Sequence, residues 1–439
     1  MICRILSILL ILAYHFTAQA QEELYFPPAN EAWETQSPEN LGWCTDSIES
    51  LYDFLELNDT RAFLVLKDGK IVMEKYFYNF DQDSVWYWAS AGKTLTAFLA
   101  GLAQEQGALS IEEPSSNYLD DWTAAPQEQE DSITVWHQLT MTTGLDDSVD
   151  NLDCTDRECL RYLADPGTRW SYHNAPYTLI SDLIEEATGQ NYNFYTRNAI
   201  LNKIGGAGAW LRLEYNRVFF SSPRTMARFG LMILAEGQWE DEIIMEDKQY
   251  FNSMITPSQN INPAYGYLWW LNGQERIMVP GIDRTFNQAL CPPAPADMVA
   301  AMGKNSQLLN VVPSEGLVVV RMGESPSNAP VSYDLQDGIW EYLNKIICTP
   351  STLREQKTNA LKFFPNPVIS GTVNLQGQPV GGSGDLMLYD IFGHLVFQTK
   401  WSGSTRQINL PAHLANGCYA YLFQSLSGQV STGKLLLRR

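Results

Sequence analysis

The chain has 439 residues, of which 45% are hydrophobic and 18% charged, as in ordinary globular proteins. This length accommodates two domains, and the larger of them can bury a full hydrophobic core. The formal net charge of -21 argues against nucleic acid and anionic membrane surfaces as partners, because both repel an acidic protein.

The first twenty residues have the three parts of a secretory signal peptide. Arg4 supplies the positive charge, residues 5–13 the apolar stretch, and Ala-Gln-Ala at 18–20 the cleavage site. We expect cleavage after Ala20, and we expect the mature protein to be secreted or to lie at the cell surface. An uncleaved anchor is the alternative, but no stretch reaches the roughly 20 apolar residues of a membrane span, so no integral membrane segment is predicted.

Export permits disulfide bonds. Six cysteines remain after the signal peptide leaves with Cys3, too many for the sequence to fix their pairing. We predict a Cys154–Cys159 bridge, because these two residues bracket a short polar loop. We also predict a Cys44–Cys348 bridge, because the ends of a domain often lie close together.

The main domain, predicted over residues 21–348, begins with a helix over 45–57, where apolar residues recur at helical spacing. Alternating runs at 62–67 and 71–78 predict two strands joined by a tight turn. After a helix that carries Ser90, we predict helices over 134–142, 177–188 and 225–234, strands over 308–312 and 317–322, and a last helix over 332–347. Strands at both ends of a helical middle predict one α/β sheet that distant segments close.

The residue pattern changes towards the end of the chain. Residues 349–362 are polar and without a periodic apolar pattern, which predicts a linker. From 363 to 439, short β-like runs alternate with turns rich in glycine and serine, which predicts a small β-sandwich. The runs lie at 373–375, 386–389, 395–399, 408–410 and 419–423.

The turn Ser90-Ala91-Gly92-Lys93 precedes an apolar run and is the first candidate for chemistry. Residues three apart on a helix share a face, so the Ser90 hydroxyl and the Lys93 amine can meet. A partly desolvated lysine can be the base that a serine nucleophile needs. The alternative is a capping serine beside a solvated lysine. The same spacing recurs at 431–434, so S-x-x-K is weak evidence alone.

Two further groups supply what acyl transfer requires besides a nucleophile and a base, namely a second proton carrier and N–H donors for the oxyanion. In Tyr172-His173-Asn174, Tyr172 can relay a proton once nearby cations lower its pKa. Asn174 can bond a substrate amide and hold Lys93.

The third group is Gly303-Lys304-Asn305-Ser306-Gln307, directly before a predicted strand. Lys304 supplies positive potential to Tyr172 or to a substrate carboxylate. The backbone N–H groups of Ser90, at a helix N-terminus, and of Gln307, on an edge strand, are the expected oxyanion donors.

Together these residues resemble the serine β-lactamase and penicillin-recognising superfamily, in its branch of AmpC-type β-lactamases, D-peptidases and esterases. The three motifs S-x-x-K, Y-x-N and a K-T-G variant occur in the family's order, and the resemblance covers 51–322. It implies an α/β (α+β) fold, with an antiparallel sheet flanked by helices and a helical subdomain. It also implies hydrolysis through an acyl-enzyme, without a cofactor.

The third motif departs from the family. Asn305 replaces threonine and Ser306 replaces glycine, and the added side chains are expected to narrow the site. We therefore favour a small ester, amide or D-amino-acid peptide over a β-lactam as substrate. Asn305, Ser306 and Trp88, which lies beside the first motif, are predicted substrate contacts.

The tail has its own resemblance, carried by Phe-Pro-Asn-Pro at 364–367, Leu-Tyr-Asp-Ile-Phe-Gly at 388–393 and Leu-Ala-Asn-Gly-Cys-Tyr at 414–419. These segments resemble the C-terminal sorting domain of the type IX secretion system, which implies that the secretion machinery is a partner. A carbohydrate-binding or spacer sandwich is the alternative.

Other active-site types lack their signatures. The G-x-S-x-G and H-E-x-x-H patterns are absent, and the four histidines after the signal peptide are too scattered for a metal site. His173 is interpreted as a packing or rim residue in preference to a catalytic one. The favoured hypothesis is a secreted serine hydrolase, and the alternative is a non-catalytic protein that binds peptidoglycan or another ligand on the same fold.

Overall fold

The computed structural model divides into two compact units, Met1–Thr349 and Pro350–Arg439, and each is treated by itself. In the first unit it describes residues 24–29, 31–325 and 332–348. In the second it describes 362–364, 366–369, 371–376, 383–390, 394–401, 407–425 and 430–439. The predicted signal peptide and residues 349–361 of the predicted linker lie outside the described residues, whereas Lys362 begins a strand.

The first unit alternates strands and helices along the chain. Its strands are β1 (Thr60–Lys67), β2 (Lys70–Tyr76), β3 (Trp86–Tyr87), β4 (Gly208–Leu213), β5 (Asn216–Ser221), β6 (Gln238–Trp239), β7 (Glu242–Ile243), β8 (Trp270–Leu271), β9 (Ile277–Val279), β10 (Ile282–Phe286), β11 (Val299–Gly303), β12 (Gln307–Val312) and β13 (Leu317–Gly323). Its α-helices are α1 (Ile48–Leu57), α2 (Lys93–Glu105), α3 (Ser116–Leu119), α4 (Gln127–Glu130), α5 (Val135–Leu139), α6 (Asn174–Thr178), α7 (Ile180–Thr188), α8 (Tyr192–Thr196), α9 (Pro223–Leu234), α10 (Lys248–Met254) and α11 (Tyr333–Ile346).

A six-stranded antiparallel sheet in the order β2-β1-β13-β12-β11-β8 is the centre of this unit. Strand β1, from the start of the unit, pairs with β13, from its end, and Phe63 lies opposite Arg321. The predicted closure of one sheet by distant segments is confirmed.

Helices cover both faces of the sheet, since every residue of β12 and β13 is buried. Helix α9 packs against β1, β12 and β13, while α1 packs against β1 and α11. The approach of α9 is close at Gly230, where a Cβ atom would lie 2.6 Å from the side chains of Leu309 and Val318. A helical region runs from α2 to α8, with α7 packed against α2, α3 and α8. Small sheets with the orders β3-β5-β4, β10-β9 and β6-β7 lie outside the central sheet.

Capping and backbone geometry explain where the helices differ from the predicted bounds. The helix predicted over 134–142 is only Val135–Leu139, because Thr134 caps it in a capping box with His137 and Met141 adopts a φ of 60°. The helix predicted over 45–57 is a 3₁₀ turn, Thr45–Ser47, followed by α1. None of the helices in the described part of the chain has the length and apolar character that a bilayer crossing requires.

Two disulfide bonds are present in the first unit, Cys44–Cys348 and Cys154–Cys159. The first joins the segment before α1 to the end of α11, where Cys44 N–H also donates to the Ile346 carbonyl at 2.8 Å. Of the cysteines in the described residues, Cys291 is a buried free thiol and Cys418 an exposed one.

The second unit consists of two antiparallel sheets around one core, as expected for a β-sandwich. Its strands are β14 (Lys362–Phe364), β15 (Thr372–Gln376), β16 (Gly384–Tyr389), β17 (Leu395–Trp401), β18 (Gln407–Asn409), β19 (Gly417–Ser425) and β20 (Val430–Leu437). The sheet orders are β14-β15-β18 and β17-β16-β19-β20, and Val373 of one sheet and Phe423 of the other share the core. The second S-x-x-K sequence lies on β20, an extended strand.

The two disulfides are expected to contribute unequally to stability. A disulfide stabilises mainly by restricting the unfolded chain, and the effect grows with the length of the loop that it closes. The sequence separations are 304 residues for Cys44–Cys348 and 5 for Cys154–Cys159. Replacing the first pair by serine should therefore lower the free energy of unfolding by roughly 3 kcal/mol more than replacing the second. Denaturant unfolding of both double variants measures the difference, and equal losses would contradict it.

Candidate active site

A cavity of about 490 Å³ opens beside the start of α2. It brings together residues from all three sequence motifs, which are far apart in the chain. The predicted residues that line it are Ser90, Lys93, Tyr172, Asn174 and Lys304.

Ser90 lies on a 3₁₀ turn, Ala89–Gly92, that leads directly into α2. The sequence places it in the first turn of an α-helix, whereas in a 3₁₀ turn side chains three residues apart are eclipsed and come still closer. Ala89, just before Ser90, has a φ of 48°. A non-glycine residue in this left-handed region stores strain, which is common next to functional groups.

Strand β11 approaches the Ser90 turn very closely at Gly303. A Cβ atom on Gly303 would lie 2.3 Å from the Trp88 carbonyl oxygen and 2.9 Å from the Ala91 nitrogen. Only glycine allows the strand and the turn to lie at this distance. The open edge of β11 therefore faces the backbone of the serine.

The Lys93 amine is buried at the base of the cavity. Its Nζ lies 3.1 Å from Ser90 Oγ and donates to Asn174 Oδ1 at 2.9 Å. It also lies 4.0 Å from the centre of the Tyr177 ring and 5.0 Å from that of Tyr172. Burial lowers the pKa of Lys93 to about 7, and the negative charge of Asp153 opposes this shift. A large fraction of the amine is thus neutral near neutral pH.

Tyr172 lies over the same serine. Both residues line the cavity, and the Tyr172 ring stacks on Trp270 with the ring centres 5.9 Å apart. The expectation that cations lower its pKa is wrong, because burial raises the pKa of Tyr172 well above its usual value. The hydroxyl is a proton donor at neutral pH.

Asn174 begins α6 and is bonded on both sides of its amide. Its Oδ1 accepts from Lys93, and its Nδ2 donates to Asp153 Oδ1 at 2.8 Å. The sequence analysis did not single out Asp153, which lines the cavity. Its only signal in the sequence is its position directly before the Cys154–Cys159 loop, and its pairing with a residue 21 positions away depends on the fold.

Lys304 is exposed and lines the cavity. Among the described residues it has no ion-pair partner, whereas Arg217, also in the lining, is paired with Asp182 and Glu185 at 2.5 and 2.6 Å. Lys304 is therefore the cation with the greater freedom to meet a substrate.

The turn Lys304–Ser306 connects β11 to β12 and is fixed from behind by a buried arginine. Asn305 and Ser306 have φ angles of 61° and 55°. Arg321 donates to their carbonyl oxygens at 2.6 and 3.0 Å. These bonds between an arginine and two carbonyls stabilise a backbone that non-glycine residues rarely adopt.

The three residues predicted to contact substrate do not line the cavity. Trp88 is fully buried and its indole N–H donates to Ser221 Oγ at 2.8 Å. Asn305 donates to Tyr87 and Glu324 at 2.7 and 2.6 Å.

Ser306 is the third. It is fully buried, and its Oγ accepts from the Ser332 N–H at 3.0 Å. The departure from the K-T-G pattern thus does not narrow the site, because the left-handed turn directs this side chain into the protein.

Gln307 is likewise misplaced as an oxyanion donor. It lies on β12, which is paired on one side with β11 and on the other with β13. Its side chain bonds both the N–H and the carbonyl of Gly323. The strand beside Ser90 is β11, and its cavity-lining residue is Met302. Strand β8 pairs with Val299 and Ala300 of β11. Within the described part of the unit no strand pairs with β11 at Met302 on that side, so the edge is open there.

Residues 60–337 match the beta-lactamase family, and residues 362–438 match the secretion system C-terminal sorting domain. The chain belongs to the beta-lactamase family. Its second unit carries a sorting domain for secretion, to the cell surface or beyond.

Relatives of this beta-lactamase-family chain are distant in sequence. The "Putative penicillin-binding protein PbpX" of Bacillus subtilis (strain 168) is 24% identical over 176 residues, which are 37% of this chain and 44% of that protein. The chain thus spans less than half of the length of this curated relative.

Solved structures share the fold at similarly low identity. A "Putative 6-aminohexanoate-dimer hydrolase from Bacillus anthracis" has a TM-score of 0.56 at 17% identity, over 73% of this chain and 90% of that one. A penicillin-binding protein homologue from Caulobacter crescentus has a TM-score of 0.53 at 12% identity, over 68% and 97%.

Two aromatic residues line the cavity of this beta-lactamase-family site although the sequence did not indicate them as cavity residues. Trp270 and Tyr333 both line the cavity, and burial raises the pKa of Tyr333. His173, by contrast, is buried outside the lining, and burial lowers its pKa to about 4. Among the described residues no cluster of metal-ligating side chains occurs.

Burial of Lys93 is expected to make stability depend on pH. Its pKa is about 7 in the folded protein and about 10.4 in an unfolded chain. The unfolded state therefore binds more protons between these values, and stability rises with pH across this window. Lys93→Met removes the effect, so the Tm of the variant minus that of the wild type should decrease as pH rises from 7 to 10.

The matched control is Lys304→Met, at an exposed lysine of the same cavity. It removes the same chemical group at an exposed position, where no burial is undone. A Tm difference for Lys93→Met that stays flat with pH would contradict the burial argument.

The close approach at Gly303 gives a second expectation. Gly303→Ala introduces a methyl group against backbone atoms that cannot move aside, and overpacking of this kind costs about 1–3 kcal/mol. Ala89→Gly, which removes a methyl group at the same contact and relieves the positive φ, should keep the wild-type Tm or raise it. Thermal unfolding of both variants checks the pair, and an unchanged Tm for Gly303→Ala would refute the close contact.

Proposed function

We propose that this protein is a secreted serine hydrolase that works through an acyl-enzyme, with Ser90 as nucleophile and Lys93 as its base. The observation that carries the proposal is the position of the Lys93 amine, buried, 3.1 Å from Ser90 Oγ and with a pKa lowered to about 7. A general base is most effective when its pKa lies near the working pH.

Acylation follows from this arrangement. Neutral Lys93 takes the Ser90 proton while Oγ attacks the carbonyl carbon of the substrate, and the carbonyl oxygen becomes an oxyanion. The Ser90 N–H and an N–H on the open edge of β11, at Met302, stabilise that charge. The Tyr172 hydroxyl donates a proton to the leaving group and is recharged from Lys93.

Deacylation repeats the same steps with water as the nucleophile. The proton of the attacking water passes to the amine, and Ser90 leaves with a proton, so the enzyme returns to its starting state. Asn174 bonds a substrate amide and holds Lys93. Lys304 attracts a carboxylate of the substrate, since it has no ion-pair partner among the described residues.

The proposed substrates contain an ester, an amide or a D-amino-acid peptide bond. They share an acyl carbonyl, whose carbon Ser90 can attack and whose oxygen can accept from the β11 edge. The aromatic lining from Trp270 and Tyr333 favours an apolar portion on the substrate. The burial of Ser306 removes the sequence-based reason for ranking β-lactams lower, so they belong in the same screen.

The route out of the cell is part of the proposal. The signal peptide directs the chain into the periplasm and is cleaved after Ala20, and the second unit is then recognised by the type IX machinery. Removal of this unit after export would leave the hydrolase unit at the surface or free.

Labelling by a fluorophosphonate probe tests the proposal. Intact mass spectrometry of the wild type should show one adduct, and Ser90→Ala should abolish it. Ser431→Ala, in the other S-x-x-K sequence, is the control and should label like the wild type. Because protonated Lys93 is not a base, the labelling rate should fall about tenfold per pH unit below pH 7. Folded wild-type protein that takes no adduct would favour the non-catalytic ligand-binding protein instead.

A further inference from the structure

The carboxylate of Asp153 is hydrogen-bonded to Asn174, the residue that in turn bonds the proposed base Lys93. Asp153 Oδ1 accepts a hydrogen bond from Asn174 Nδ2 at 2.8 Å, while Asn174 Oδ1 accepts one from Lys93 at 2.9 Å. A carboxylate can only accept, and an amide has one donating and one accepting end. Asp153 therefore fixes which end of the Asn174 amide faces the lysine.

The orientation of this amide determines what Lys93 can do. Because Asn174 Oδ1 is an acceptor, the amine must donate an N–H to it in both of its protonation states. A neutral amine has one lone pair, and with an N–H directed at Asn174 that lone pair is free for Ser90 Oγ, 3.1 Å away. The reversed amide would donate its own N–H to the amine and compete for the lone pair.

We propose that Asp153 is a positioning residue for this reaction, which orients the Asn174 amide so that the lone pair of Lys93 is directed at the Ser90 hydroxyl. The inference rests on the proposed function of Ser90 and Lys93. Asp153 acts through Asn174 and does not itself take part in proton transfer.

The chain around Asp153 is constrained on both sides. The Cys154–Cys159 disulfide closes the loop directly after it. Before it, the Leu152 carbonyl accepts from the Ala175 N–H at 3.0 Å, which ties this loop to the residue after Asn174. Asp153 N–H also donates to Asn151 Oδ1 at 3.0 Å. A carboxylate fixed in this way can determine the orientation of a neighbouring amide.

The charge of Asp153 has a separate effect on Lys93. It raises the pKa of Lys93 against the larger effect of burial. The other groups that face the amine are the rings of Tyr172 and Tyr177, the Asn174 amide and the Ser90 hydroxyl, and Lys304 and Arg217 lie elsewhere in the cavity lining. Of these, Asp153 contributes the negative charge, so its removal should lower the pKa of Lys93.

The two effects predict different results for two variants. Asp153→Ala removes both the acceptor and the charge, so the plateau rate of fluorophosphonate labelling should fall roughly tenfold or more, and the acid limb of the pH profile should move to lower pH. Asp153→Asn removes the charge but keeps an acceptor that can also donate. It should show the same shift of the limb with a smaller loss of plateau rate.

Asp156→Asn is the matched control, since Asp156 lies in the same disulfide-closed loop but accepts from Tyr215. It should keep the plateau labelling rate of the wild type and the same position of the acid limb in the pH profile. In an Asn174→Ala background, Asp153→Ala should cause little further loss of plateau rate, because the amide that it orients is gone. Thermal unfolding of each variant identifies any loss that is due to misfolding.

The outcomes separate the two proposals. Wild-type labelling together with an unchanged plateau rate in Asp153→Ala overturns the positioning role alone, whether or not the acid limb moves. Equal losses from Asp153→Ala with and without Asn174 also overturn it, because the residue would then act independently of the amide. Absence of labelling in folded wild-type protein overturns the proposed function and, with it, this inference.

Discussion

The burial of one amine is the constraint on which much of the first unit depends. A lysine that gives up its water needs partners that compensate for the lost hydration without fixing a full positive charge. Lys93 has two aromatic faces, an amide oxygen and a serine hydroxyl around it. No carboxylate of the described residues forms an ion pair with it. A carboxylate beside the amine would hold it protonated. Placing Asp153 one amide further away keeps part of its electrostatic effect and leaves the amine able to lose its proton.

The central sheet supports this arrangement from the other side of the cavity. The serine turn and β11 lie so close that Gly303 has no room for a side chain, and the backbone of the next three residues reverses direction in a left-handed turn. Arg321, buried in β13, donates to the turn carbonyls of Asn305 and Ser306. It also donates to the carbonyls of Asn58 and Glu324 outside the turn. A guanidinium group has several donors in a fixed plane, which suits a site where many carbonyls converge. The position of Lys304 at the cavity thus depends on Arg321, which lies on β13, two strands away from β11 in the sheet.

Much of the fold and of the site could be predicted from sequence because the signals were local. Alternation gave β1 and β2, helical periodicity gave α1, α9 and α11 to within a few residues, and three motifs gave the five residues that meet in the cavity. Side-chain direction at the third motif could not be predicted in this way. Whether Gln307 faces the cavity or the sheet depends on the register of β12 with both neighbours.

The same reason explains the errors at other positions. Trp88 lies two residues before Ser90 in the chain, yet its backbone conformation directs the indole ring into the core beside Phe219. Asp153 could not be identified from the sequence, because its partner Asn174 lies 21 positions away and aspartate is a common residue on protein surfaces. The pKa of Tyr172 was misjudged because burial, which outweighs nearby charge in this site, is a property of the packed structure.

The Cys44–Cys348 bond has a consequence beyond stability. It joins the chain just before the first α-helix of the unit to the chain just after its last, so that everything between forms a covalent ring. A protease that cuts one surface loop of a ring opens it without producing two separate pieces. The segment with Ser90 and the strand that faces it would therefore remain attached after such a cut. For an exported protein, this architecture makes a single nick tolerable, and removal of the second unit would occur outside the ring and leave it whole.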